Sequence, residues 1–228
     1  MISTSVSKVK LVFLHLHDVT LQEGIFLPFD PDPRFSARVN NSVPYPLFLL
    51  PLNFLHMQIG IAALGTDPSP ELEEKARGFV RTLSKCAIHT FILGGYWGLM
   101  RVVVDEALRE GNRVVAIIPE GAEHVIMPAE VVRIDTGCDP RCRSVFIARS
   151  GDIMVSLGGE TGTMTEIMMA YAMGKAVYAL TGTGLSSDRL AQAFPEKLDS
   201  RALGEIHYYD NPEIMGSDIC RRYYGKEI

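Results

Sequence analysis

With 228 residues, 47% of them hydrophobic, the chain is long enough to bury one full core and carry an appended segment. Its net charge of −5, with no basic stripe interleaved with aromatics, argues against nucleic acid as a partner. Four cysteines are too few for a scaffold built on disulfides, and the N-terminus shows no secretory pattern.

Residues 1–56 read differently from the rest. They hold six of the 13 prolines, few charges, and no helical period lasting three turns. "KLVFLHL" could form a strand, and "FDPDPRF" is turn or extended chain because each proline biases its predecessor away from helix. The segment is expected to be an extension, or an over-long assigned start, with the folded domain running over 57–228. The most apolar region, Val43 to Gly65, is interrupted by Pro44, Pro46, Pro51, Asn53 and His56, which argues against a membrane span. A soluble cytoplasmic protein with no membrane partner is the expectation.

From Met57 onward short apolar runs alternate with amphipathic ones. "MQIGIAAL" is a buried strand. "SPELEEKARGFVRTLSK" is a helix with Ser69 as N-cap and Pro70 at its first position; Leu72, Ala76, Phe79, Val80 and Leu83 form its apolar face. "HTFILGG" is a second strand, followed by a helix facing inward with Met100, Val103, Val104, Ala107 and Leu108 and ending at Gly111. "RVVAIIP" is a third strand and "DIMVSLGG" a fourth, opened by Asp152. The next helix presents Met164, Ile167, Met168, Tyr171 and Ala172, and "KAVYALTG" is a fifth strand. "EIHYY" and "PEIMGSDICRRYY" make a last strand and helix. Five- to seven-residue apolar strands alternating with helices predict βαβ units, hence a doubly wound parallel sheet in a three-layer α/β/α, Rossmann-like fold.

In such sheets ligands sit beyond the carboxyl ends of the strands. "GTDPS" (Gly65, Thr66), "GGYWG" (Gly94, Gly95) and "GGETGT" carry glycines with hydroxyl residues, which suit close backbone approach and anion binding at helix starts. The spacing is not the G-x-G-x-x-G of a dinucleotide binder, and no P-loop is present. In "LGGETGTMTE", Gly158 and Gly159 end a strand, and Thr161 or Thr163 can cap the helix that Gly162 and Thr163 begin, leaving N–H groups for a phosphate. Glu166, three residues past Thr163, either closes a capping box or stands ionised beside a phosphosugar, its pKa lowered by the helix dipole. Tyr96 and Trp97 suit base stacking or a core or dimer role equally. His124 reads as a solvated loop residue. "CDPRC" (Cys138, Cys142) is a metal pair, a local disulfide or, more simply, two free thiols; no second Cys/His pair supports zinc.

"GGETGTMTE" resembles the G-G-x-x-G-T-x-x-E signature of the LONELY GUY-type phosphoribohydrolases, long labelled "possible lysine decarboxylases". "ILGGYWGLM…REGNRVVAIIP" is similar to that superfamily's G-G-x-x-G-L-M segment and its following strand. Arg143 to Val177, "RSVFIARSGDIMVSLGGETGTMTEIMMAYAMGKAV", resembles more closely a prokaryotic branch related to molybdenum cofactor carrier proteins. The likeness covers Met57 to Gly184. It implies that Glu166 and an arginine are catalytic and that Gly158, Gly159, Gly162 and Thr163 hold a 5′-phosphate. The arginine is Arg143 by the prokaryotic pattern, with Arg141 a rival by the plant pattern. Ser144 stands where that branch has Asn, Ala176 replaces a proline, and Glu160, in place of a glycine, sets a second negative charge beside the phosphate loop.

The implied reaction hydrolyses the N-glycosidic bond of a nucleoside 5′-monophosphate, AMP-like, with no metal or cofactor required. The resemblance also implies homodimers, for which Met164, Met168 and Met169 would be a seam. The alternative is a non-catalytic carrier of a nucleotide or of a phosphorylated cofactor such as molybdopterin. A pyridoxal phosphate decarboxylase is rejected: it needs a Schiff-base lysine in the crevice, and Lys175 begins a strand at the opposite end, while Lys75, Lys85, Lys197 and Lys226 lie on surface helices, in a polar stretch or at the terminus.

Overall fold

The computed structural model describes residues 56–228, and the expectations for residues 1–55 lie outside them. Seven strands form one sheet in the order β4-β3-β2-β1-β5-β6-β7, with every neighbouring pair parallel. The strands are β1 (Gln58–Ala62), β2 (Thr90–Leu93), β3 (Arg113–Ile118), β4 (Val132–Asp135), β5 (Ile153–Ser156), β6 (Ala176–Leu180) and β7 (Glu205–Tyr209). The helices are α1 (Pro70–Ser84), α2 (Gly98–Arg109), α3 (Pro140–Ser150), α4 (Thr161–Ala172), α5 (Arg189–Ala193) and α6 (Pro212–Tyr224). The chain builds outward from β1 to β4, then returns to β5 on the other side of β1, so strand order reverses between β1 and β5.

Helices α1, α2 and α6 pack on one face of the sheet, over Ile59, Ile61, Phe91 and Val155. Helices α3 and α4 cover the other, over Ile92, Ile117, Met154 and Val177. The doubly wound three-layer α/β/α expectation therefore describes the fold. α1 starts as its sequence dictates: Ser69 Oγ accepts the Leu72 N–H at 3.2 Å and Pro70 occupies the first turn.

Three elements go beyond the sequence expectations: β4, α3 and the five-residue α5. β4 is an edge strand of four residues, mostly exposed, so it lacks the apolar run that marks an interior strand. α3 buries only Ser144, Ile147 and Ala148 and turns Val145 and Phe146 outward, so it shows no amphipathic stripe. The expected inner face of α4 is also shifted: Ile167 and Tyr171 are buried, whereas Met168 and Ala172 are exposed and Glu166 points inward.

Cys86, just past the end of α1, is bonded to Cys220 in α6, closing a loop of 134 residues; both sulfurs lie in the core. Cys138 and Cys142 are free. The bridge holds the last helix against α1 and restricts the unfolded chain. Replacing both Cys86 and Cys220 by alanine is expected to lower the unfolding free energy by about 2–5 kcal/mol, read by urea denaturation.

Candidate functional site

Four connections converge beyond the carboxyl ends of β1, β2 and β5, at the reversal of strand order. At β2, Gly94 is followed by Gly95, over which the Trp97 ring lies; a Cβ at Gly95 would stand 2.1 Å from that ring. At β1, the exposed Gly65–Thr66 turn packs under the start of α2: Leu99 donates its N–H to Leu64 O at 3.0 Å, and Gly98 sits against Thr66 O, leaving no room for a side chain. Tyr96 is occupied otherwise, donating to Asp105 Oδ1 at 2.7 Å with Arg101 over its ring.

Arg143 belongs to the first turn of α3, whose N-cap Asp139 accepts the N–H groups of Arg141 (2.7 Å) and Cys142 (3.0 Å). Its guanidinium crosses directly above Gly94, where a Cβ would fall 1.1 Å from Nη1. From there Nη1 stands 3.8 Å from Glu166 Oε1, while the Arg143 Nε is buried with no partner among the described residues. Arg141, the rival, points outward with 87% of its side chain exposed.

Glu166 is 6% exposed and closes no capping box; instead Ser144 Oγ donates to its Oε1 at 2.8 Å. Its carboxyl is pushed up to about 7, because burial disfavours the charged form more than Arg143 and the Ser144 hydroxyl favour it. This corrects the expectation of a lowered pKa: the dipole of α4 acts on a group that the fold has removed from water. Burial likewise holds the Arg143 guanidinium below its ordinary value, with the Glu166 charge opposing.

The β5–α4 turn is tight. Gly158 adopts φ +95°, and a Cβ there would meet Thr183; a Cβ at Gly159 would fall 2.1 Å from Thr163 Oγ1. The N-cap of α4 is Glu160 with no side-chain cap, so neither Thr161 nor Thr163 caps the helix as expected. The N–H groups of Thr161, Gly162 and Thr163 make no hydrogen bond among the described residues, while that of Gly159 donates to Ser187 Oγ at 3.1 Å. Ser187 N–H returns to Gly159 O at 2.9 Å. Glu160 is turned aside by a hydrogen bond from Ser186, so its charge is held toward the β6–α5 connection.

The structure thus gathers Arg143, Glu166, Gly94 and the free amides at one place, with Gly65–Thr66 along the rim. Ser144, Ser186 and Ser187 were not expected in these roles. Ser144 had a signal, since it replaces an Asn beside the arginine; the other two lie in an ordinary loop more than 20 residues away. His124 is exposed on the β3–β4 connection. Lys175 donates to Arg149 O at 2.7 Å at the amino end of the sheet, away from the crevice. A groove of about 590 Å³ lies at that end too, between Thr90, Asn112 and Val132. Among the described residues no group of three or more His, Cys, Asp or Glu is arranged to hold a metal, and no helix is long and apolar enough to cross a membrane.

An open α/β sheet with a buried cation–carboxylate pair and unpartnered helix amides at its switch point defines a Rossmann-like domain with a candidate ligand crevice. The chain belongs to the SLOG cluster4 family, whose model matches residues 56–215. An uncharacterized protein of Archaeoglobus fulgidus is 31% identical over 128 residues, 54% of this chain and 80% of that one. The X-ray structure of TM1055 is 33% identical, with a TM-score of 0.64, covering 73% of this chain and 99% of that one. The molybdenum cofactor binding protein of Rippkaea orientalis shares the fold at 20% identity and a TM-score of 0.57, covering 70% of this chain and 93% of that one.

One expectation is overturned here. DNA processing protein A of Helicobacter pylori, described with a single-stranded DNA binding mode, has the same fold at 14% identity and a TM-score of 0.53, over 74% of this chain and 82% of that one. Exclusion of nucleic acid therefore does not hold for this kind of domain. The physical reason is that a local array of N–H groups can bind phosphate whatever the net charge of the chain.

Two measurements check the site. Gly94→Ala forces the guanidinium away from Glu166, so the carboxyl loses an opposing positive charge and its titration midpoint rises further, read by carbon NMR of the glutamate carboxyls. Because the folded state favours neutral Glu166, stability associated with this group is full below about pH 4.5 and is lost as pH rises through about 7. Glu166→Gln removes that loss: relative to the parent it gains about 2–3 kcal/mol between pH 5 and pH 8 in urea denaturation.

Proposed function

We propose that the crevice binds a nucleoside 5′-monophosphate and hydrolyses its N-glycosidic bond, releasing free base and ribose 5-phosphate. The observation that carries this reading is the buried pair Arg143–Glu166, set beside the free N–H groups of Thr161, Gly162 and Thr163. A phosphate on those amides anchors the substrate at the positive end of α4. Glu166 then faces the sugar. A carboxyl poised near neutrality is suited to proton transfer with water, and its ionised form stabilises an oxocarbenium-like sugar. Arg143 orients the substrate and, as its charge is fixed over Gly94, does so without reorganising. Glu160 does not oppose the phosphate, because Ser186 holds it aside. No metal or other cofactor enters this scheme.

A second reading is carriage without turnover, with a phosphorylated cofactor such as molybdopterin as cargo; it is favoured by the fold likeness to the Rippkaea orientalis protein. The homodimer implied by the LONELY GUY resemblance fits the outward apolar side chains of α3 and α4, Val145, Phe146 and Met168, each more than a third exposed.

Incubating the protein with AMP and other nucleoside monophosphates, and following free base by chromatography, separates the two. Under the enzymatic reading base is released, Glu166→Ala lowers the rate at least about a hundredfold, and the rate falls about tenfold per pH unit below 7 where the carboxylate is required. Tight binding without release establishes carriage instead, and neither binding nor release removes both.

A further inference from the structure

Two aromatic residues follow Gly94 and Gly95, and only one of them is engaged elsewhere. Tyr96 is tied to Asp105 and Arg101, whereas Trp97 is half-buried and its indole N–H makes no hydrogen bond among the described residues. A tryptophan N–H taken this far from water ordinarily has a partner. The indole lies across the ends of two strands. Its six-membered ring covers Gly95 after β2, and its Nε1 stands 3.5 Å from where a Cβ at Gly65, after β1, would be. We propose that Trp97 recognises the base in this crevice, stacking its indole on the nucleobase and donating Nε1–H to a ring nitrogen or carbonyl. This rests on the reading that the crevice takes a nucleoside monophosphate.

The distances agree with this placement. β1 lies between β5 and β2, and neighbouring strands are about 4.8 Å apart, so the turns after β5 and β2 are roughly 10 Å apart. A phosphate on the amides of α4, with its ribose at Arg143 and Glu166, therefore directs the base past β1 toward Gly95. Two consecutive glycines shape the walls. The Arg143 guanidinium, from α3, fills the space of a Gly94 side chain, and Trp97 fills that of Gly95 from the face covered by α1 and α2. The ring also lines a cavity of about 430 Å³ with Asp67, Pro68, Arg101 and Asp105, which gives the base room; Asp67 directly follows the Gly65–Thr66 rim.

The indole is positioned before any ligand arrives. Trp97 has extended backbone just ahead of α2, and its O accepts the Arg101 N–H at 3.3 Å. Leu99 N–H donates to Leu64 O at 3.0 Å, and Gly98 is pressed against Thr66 O, so the backbone carrying the ring is fixed on both sides. Stacking on a ring already in place costs little ordering. A ring that only closed the edge of the core would affect phosphate and sugar binding as much as base binding. A base-stacking ring affects the base alone.

Trp97 is the only tryptophan of the chain, so its emission reports the contact directly. The full-length protein is mixed with AMP or with ribose 5-phosphate, and tryptophan fluorescence is followed by stopped flow, before turnover. AMP is expected to change the emission saturably, by quenching or shift, whereas ribose 5-phosphate, its binding followed by calorimetry, leaves the emission unchanged. In Trp97→Ala the KM for base release, or the dissociation constant of AMP where no base is released, rises about tenfold or more, as loss of one base–aromatic stack implies. The affinity for ribose 5-phosphate stays within about twofold, and Trp97→Phe, which keeps a stacking ring, recovers most of the loss. The emission change decides the case even if Trp97→Ala does not fold. AMP bound or cleaved with unchanged emission, or equal losses for AMP and ribose 5-phosphate in Trp97→Ala, overturns the base role and leaves the nucleotide reading standing. Failure of the parent both to bind AMP and to release base overturns the two together.

Discussion

The arginine that lies across a glycine governs the rest of this site. Gly94 has no side chain, and in the space where one would stand the Arg143 guanidinium passes from α3 to within ion-pair distance of Glu166 on α4. The contact ties together three segments remote in sequence: the end of β2, the first turn of α3, and the first turns of α4. It is possible only because the sheet reverses its strand order between β1 and β5, which leaves a crevice open above the strand ends.

Electrostatics at this point are deliberately unequal. Both charged groups are largely removed from water, and at 3.8 Å their attraction does not recover what burial costs, so the carboxyl gains proton affinity and the guanidinium loses some. An unpartnered buried Arg143 Nε adds to the imbalance. Such a pair is a poor device for stability alone. It becomes reasonable when an anionic ligand supplies the missing partner, and the free amides of α4 stand ready beside it.

Around that pair, serines do the positioning. Ser144 fixes one Glu166 oxygen, Ser187 takes both the N–H and the C=O of Gly159, and Ser186 draws Glu160 aside. The β5–α4 turn is therefore held by the β6–α5 connection, not by helix capping of its own. Elsewhere in the domain the Cys86–Cys220 bridge ties α6 to the end of α1, while Cys138, half-buried, and Cys142, exposed, are free.

Most of the layer structure was legible in the sequence, because interior parallel strands are short apolar runs and helices such as α1 declare their caps and their inner stripe. β4 and α3 were not, since an edge strand and a helix with apolar residues facing outward lack those patterns. The residues Gly158 to Glu166 stood out from their spacing alone, and that spacing determined a tight turn into a helix start with free amides. The sequence pattern favours Arg143 over its rival Arg141 as the arginine near the glutamate, and in the fold Arg143 faces it while Arg141 points outward, but the sign of the Glu166 shift was misjudged. Sequence reports a carboxylate near a helix N-terminus, but only tertiary packing reports how far it is taken from water. Desolvation depends on what the whole domain places around a group, and for Glu166 that outweighs the local field of its own helix.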